Sequence, residues 1–260
     1  MSPAGRIVAT ALVAALVLSA CGDGGGLLST TTSTASTTTT TTTTIAATTT
    51  TRAAATTSST STTLAVTYPQ AALDYFVEIA FGPEFGGGPQ EIRKWTQDVE
   101  IVVHGDPNAE DLATLDDVIA DLNEIIDTIE IRIVESGGQV DLHFAPEPEF
   151  EAIEPNYVPV NMGFFWVWWD GLGNITRTRV LVSTTGLTQE ARNHVIREEV
   201  TQQLGLMSDS FSYEESMFYQ GWTTTQEYST LDELVIELLY LPEIEVGMAV
   251  DQALDAIDGS

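Results

Sequence analysis

The chain has 260 residues, with 9 Lys or Arg against 38 Asp or Glu and a formal net charge of −29. A field of that sign repels nucleic acid and anionic lipid headgroups, so nucleic acid is not an expected partner; cations and basic peptides are favoured. A single cysteine, Cys21, excludes internal disulfides and thiolate zinc sites.

At the N-terminus, Arg6 precedes an apolar run from Ile7 to Leu18, too short for a stable bilayer span. The run ends in Leu18-Ser19-Ala20-Cys21-Gly22, which resembles the lipobox of bacterial lipoproteins. That resemblance implies a signal peptide over 1–20 and diacylation of Cys21 as the first mature residue. Two acyl chains anchor stably where one does not, so the expected location is extracytoplasmic and membrane-anchored. An ordinary secretory signal with a chance cysteine is the other reading. Residues 21–64 form the second segment, almost entirely Thr, Ser and Ala from Ser29 to Thr63. Such a tract buries nothing and reads as a flexible tether, open to O-glycosylation, with a reach of about 30–35 Å.

Residues 65–260 are enough for one domain with a core, and they hold 37 acids and 7 bases. Beyond attracting cations, that balance also serves solubility in an ion-rich exterior. A helix is predicted over 71–81, from Leu73, Phe76, Val77 and Ala80, before a break at Gly86-Gly87-Gly88-Pro89. A strand follows over 99–104, a long helix over 109–126, and strands over 129–134 and 139–144. In the last of these Val140, Leu142 and Phe144 share one face, Asp141 and His143 the other. Strands over 163–169 and 175–183 pair around the Asp170-Gly171-Leu172-Gly173-Asn174 turn. This order predicts an α+β fold with a twisted, mostly parallel sheet and long helices.

A further helix is predicted over 188–204. Ile196, Val200 and Leu204 form a core-facing stripe, while His194, Glu198 and Gln202 gather on the opposite side as a polar row. Glu199 lies at the edge of that row, and Gly205 reads as a C-cap glycine.

Within 197–206, Glu198-Glu199-x-x-Gln202-x-x-Gly205 lies over the pattern H-E-x-x-H-x-x-G. Ser216-Met217-Phe218-Tyr219 resembles the "Met-turn" of metzincin-type zinc proteases. Ser229-x-x-Asp232, followed by Ile236, Leu239 and Tyr240, is similar to the closing helix of the matrixins. The chain therefore resembles the metzincins from Trp95 to Tyr240, which implies a zincin-like fold with a C-terminal helical subdomain. The R-E-E-x-x-Q-x-L-G-L core also resembles an uncharacterised bacterial envelope family of unknown function grouped with zincin-like peptidases.

By that resemblance Glu199 matches the general base and Met217 the methionine beneath the metal. Glu198, Gln202 and Ser208, with Asp209 beside it, stand at the metal-ligand positions. Zinc prefers imidazole and thiolate, so no zinc cofactor is expected; an oxygen set of this kind suits at most weak binding of harder cations. His104, His143 and His194 are not forced together by sequence, and each is expected exposed or hydrogen-bonded. His194 and Glu198 could pair on the helix surface. In zinc proteases the strand matching Phe164–Trp169 pairs with extended substrate. Trp166 and Trp168 are thus candidates for a groove taking peptide or cell-wall glycan, unless both strand faces are covered.

Three functions follow. The first is a lipid-anchored envelope module with a metzincin-like domain that binds a membrane, an envelope protein, a peptide or a glycan without catalysis. The second is a hydrolase using Glu199 with a non-zinc metal or none. The third is a purely structural lipoprotein, with Arg197, Glu198 and Glu199 as surface charges.

Overall fold

A computed structural model describes residues 6–9, 67–82 and 90–259. The candidate lipidation site Cys21, the tether over 29–63 and the Gly86–Pro89 break lie outside the described residues. The elements are β1 (Arg6–Ala9), α1 (Gln70–Phe81), β2 (Val99–Gly105), α2 (Ala109–Ile125), β3 (Ile131–Ile133) and β4 (Val140–Ala145). A short helical passage with α3 (Phe150–Ile153) leads to β5 (Gly163–Trp169), β6 (Ile175–Ser183), α4 (Gln189–Gln202), α5 (Thr230–Tyr240) and α6 (Val250–Asp258). No helix among the described residues is long and apolar enough to cross a membrane.

The strands form one sheet in the order β1-β5-β6-β4-β2-β3. The β2–β3, β2–β4 and β4–β6 pairings are parallel; β5 runs antiparallel to β6, and β1 antiparallel to β5. Parallel neighbours need long crossovers, and α2 supplies the one between β2 and β3. Its first turn is held by Asn108, whose side chain accepts from Glu110 N and Asp111 N while Asp111 accepts from Asn108 N.

Strand alternation assigns the two faces. Ile101, Val140, Leu142, Phe144, Phe165, Val167, Val180 and Val182 enter the main core with α1, α2, α4 and α5. Ala145, Phe164, Trp166 and Leu181 turn to the other face and close a small second core with Phe150 and Tyr157. The C-terminal helices are not a separate subdomain. Val235, Ile236, Leu238 and Leu239 of α5, with Ala253 and Ile257 of α6, belong to the same core as Trp95 and Val200. Helix packing on an existing apolar face removes the need for a second centre.

All seven cations of 65–260 are engaged. Arg132 meets Asp98, Glu100 and Glu130, and Arg177 meets Asp141. Arg179, Arg192 and Arg197 meet Glu154, Asp111 and Asp121, Arg93 covers Trp169, and Lys94 donates to Leu239 O.

Candidate functional site

The helix predicted over 188–204 is α4, capped by Thr188, whose hydroxyl accepts from Ala191 N at 3.2 Å. Its Ile196–Val200–Leu204 stripe is buried, as its spacing requires. The opposite row is buried too: His194 and Gln202 are 0 % exposed, Glu198 and Glu199 1 %. Two irregular segments cover it. His194 Nδ1 donates to Thr225 O at 2.9 Å, and Thr201 Oγ1 lies 2.6 Å from Tyr228 OH. On the other flank, Gln202 Nε2 donates to Asp209 Oδ1. The predicted helix-surface pair is therefore a core pair, with His194 Nε2 3.6 Å from Glu198 Oε2. Arg197, Glu198 and Glu199 are not surface charges either. Arg197 reaches Asp121 at 2.6 Å and stacks on the Tyr228 ring.

Glu199 turns toward the start of β5. A β-carbon on Gly163 would stand 2.3 Å from Glu199 Oε1 and 2.5 Å from Val195 Cγ1. Only a residue without a side chain admits that approach. Gly205 has a role different from the predicted C-cap. α4 ends at Gln202 with Gln203 as cap, and Gly205 follows at φ 122°, where a β-carbon would meet Arg93 O at 2.1 Å. Gln203 is satisfied throughout: it accepts from Trp95 and Thr178 and donates to Val200 O.

Burial sets the proton affinities here. It pushes the Asp209 carboxyl up to about 7, against the Gln202 bond that favours the charged form. It lowers the His194 imidazole below its ordinary value.

Ser208 lies at the end of α1. Its amide donates to Ile79 O at 3.2 Å, and a β-carbon on Gly82 would come within 2.5 Å of its hydroxyl. Of the four ligand-position residues, Gln202 and Asp209 are thus directly bonded. Among the described residues, no three His, Asp or Glu groups on or beside α4 bring ligand atoms within 4.8 Å of one another. One carboxylate, one amide and a hydroxyl or second carboxylate do not fit zinc's preference for nitrogen and sulfur.

Met217 is fully buried, in a turn tied to the N-terminus of α5. Asp232 Oδ1 accepts from Ser216 Oγ at 2.5 Å, and Oδ2 accepts from Met217 N at 3.0 Å and Ser229 N at 2.9 Å. Tyr75 of α1 joins at 2.7 Å from Ser216 Oγ.

The tryptophans divide. Trp166 is buried in the second core and offers no groove wall. Trp168 stays partly exposed, with the Arg177 and Arg179 guanidinium groups of β6 at 5.2 and 5.8 Å from its ring. The outer edge of β5 pairs with β1 in the register Arg6–Trp168 to Ala9–Phe165.

On the far face of the sheet the structure joins what sequence left separate. His104 of β2 and His143 of β4 stand opposite each other in register, rings stacked at 4.5 Å, and His104 Nε2 lies 3.1 Å from Asp141 Oδ1. Burial, with the neighbouring His104, lowers His143 to about 4. The period-2 pattern had placed Asp141 and His143 on one face; the missing signal was that β2 and β4 are neighbours.

A family model described as a protein of unknown function (DUF2927) matches residues 69–259. No curated protein matches the chain. Two solved structures of myroilysin are similar. One has 11 % identity over 67 % of this chain and 97 % of that one, TM-score 0.39. The other has 10 % identity over 57 % and 82 %, TM-score 0.36.

Proposed function

Since the chain belongs to the DUF2927 family over residues 69–259, we propose that its domain is a metzincin-like frame converted into a binding module. In this reading Cys21 carries the lipid, 21–64 is the tether, and the domain recruits an envelope protein or extended peptide without cleaving it. One observation carries the proposal: Glu199, at the general-base position, is 1 % exposed and lies against the Gly163 backbone. A general base must reach water and substrate within hydrogen-bond distance. A carboxylate closed over by β5 on the inside of α4 is suited to packing instead.

Two further features support the reading. The Ser216, Asp232 and Ser229 positions of the resemblance meet in one hydrogen-bonded cluster, which supports a structural role for those motifs. The outer edge of β5 pairs with β1, which lies within the 1–20 signal peptide of this reading; its removal would leave that edge open to an extended peptide.

A second reading, hydrolysis without zinc, is favoured by Asp209: a partly exposed carboxyl raised to about 7 is suited to proton transfer near neutral pH. One assay separates the two. The purified full chain is incubated with a diverse peptide library, with and without added Zn²⁺, Mn²⁺ or chelator. The binding module leaves every peptide intact. Cleavage that depends on Glu199 or Asp209 overturns it in favour of the hydrolase.

A further inference from the structure

Outside α4, among the described residues, one cluster has the composition of a metal centre. We propose that His104, Asp141 and His143 bind a divalent transition-metal ion of the zinc class, on the sheet face turned away from α4. The main-core face of β4 carries Val140, Leu142 and Phe144 under the helices; Asp141 and His143 alternate to the other side, where His104 of β2 joins them. One ligand atom from each residue lies within 4.8 Å of the others.

The geometry is close to what such an ion needs. Metal–ligand bonds of about 2.0–2.1 Å in a tetrahedron put neighbouring ligand atoms about 3.3 Å apart. His104 Nε2 and Asp141 Oδ1 already stand at 3.1 Å, and the stacked rings, 18° from parallel, bring the second imidazole alongside. Modest rotation of His143 closes the set. The backbone under all three is a paired parallel ladder, which fixes their spacing better than a loop would.

Asp141 is also held from behind. Arg177 donates to Oδ2 at 2.6 Å, leaving Oδ1 for the ion. Ligand carboxylates are oriented by such outer hydrogen bonds. Two imidazoles with one carboxylate favour zinc, cobalt, nickel or copper over the all-oxygen cations magnesium and calcium. His104 and Asp141 side chains are 38 % and 22 % exposed, so the ion exchanges with solvent and keeps a coordination position for water. The domain's excess of 37 acids over 7 bases raises the local cation concentration.

The test uses the full chain purified without a polyhistidine tag and stripped with chelator. Zn²⁺ is titrated by calorimetry and Co²⁺ by visible absorption. We expect one equivalent bound at micromolar Kd or tighter, and intense tetrahedral cobalt bands. His104→Ala and His143→Ala should each weaken binding at least about tenfold, and Arg177→Ala by about tenfold through Asp141. Because His143 is the more buried ring, circular dichroism checks its variant; His104→Ala, at the exposed position, decides if that variant misfolds. Absence of stoichiometric binding overturns the proposal. So does binding that survives His104→Ala but is lost in Asp209→Asn, which would put the ion beside α4. Failure here leaves the reading of Glu199 untouched, because the two sites lie on opposite faces of the sheet.

Discussion

Ser216 and Asp232 are joined by a 2.5 Å hydrogen bond between two fully buried side chains. That bond links the turn bearing Met217 to the first turn of α5, which Ser229 and Asp232 cap reciprocally. Asp232→Ala leaves the Met217 and Ser229 amides without their acceptor and removes the N3 half of the capping box. Each buried donor so stranded costs about 1–3 kcal/mol, and a lost cap about 1, so we expect a loss of about 3–5 kcal/mol. Urea denaturation measures it. Asp232→Asn, which keeps an acceptor oxygen, should lose clearly less.

Gly205 makes a prediction from backbone geometry alone. Its φ of 122° disfavours any side chain, and a β-carbon would press on Arg93 O at 2.1 Å. Gly205→Ala combines left-handed strain with overpacking, and we expect about 3 kcal/mol or more of destabilisation. A thermal midpoint within about 2 °C of wild type would show that the chain after α4 relaxes freely there.

The pH dependence of stability follows from Asp209 and His194. In the fold Asp209 holds its proton up to about pH 7; unfolded, it loses it near pH 4. Its contribution is therefore fully present below about pH 4 and is lost as pH rises through 7. His194 works in the opposite sense. Burial lowers its affinity, so its contribution stands above the ordinary histidine value near 6.5 and fades as pH falls through the folded value. Asp209→Asn should flatten the urea midpoint between pH 5 and pH 8 and make the variant more stable than wild type at pH 8. Wild-type and variant slopes that coincide would place the titrating group elsewhere.

The regular elements were legible because their apolar spacing is regular. β5 and β6 fall on the residues their alternation marks, and α2 ends one residue from its predicted limit. The short helical passage before β5 lies in a proline- and glutamate-rich stretch with no helical period, whereas α6 carries Val250, Ala253, Leu254 and Ile257 at helical spacing, a signal absent from the elements predicted above. The covering of the far side of α4 is not legible in the sequence. Residues 206–212 and 223–228 carry no periodicity that would announce a cover, so a polar row read as surface is in fact core. The meeting of His104 with His143 was hidden for another reason. Parallel neighbours are chosen by crossovers, and no local pattern tells β4 that β2 lies beside it.

Glu199 lies against the Gly163 backbone at the start of β5, and on this reading it serves as a packing element. The most direct measurement is a double-mutant cycle of Gly163→Ala and Glu199→Ala, read as unfolding free energy in urea. Gly163→Ala alone forces a β-carbon to 2.3 Å from Glu199 Oε1 and should cost at least about 2 kcal/mol. Removing the carboxylate in the same chain should return at least about 1 kcal/mol of that cost, a coupling that distant, independent sites do not show. Additive effects, with Glu199→Ala as stable as wild type, would mean that Glu199 does not bear on β5 and is not a packing element.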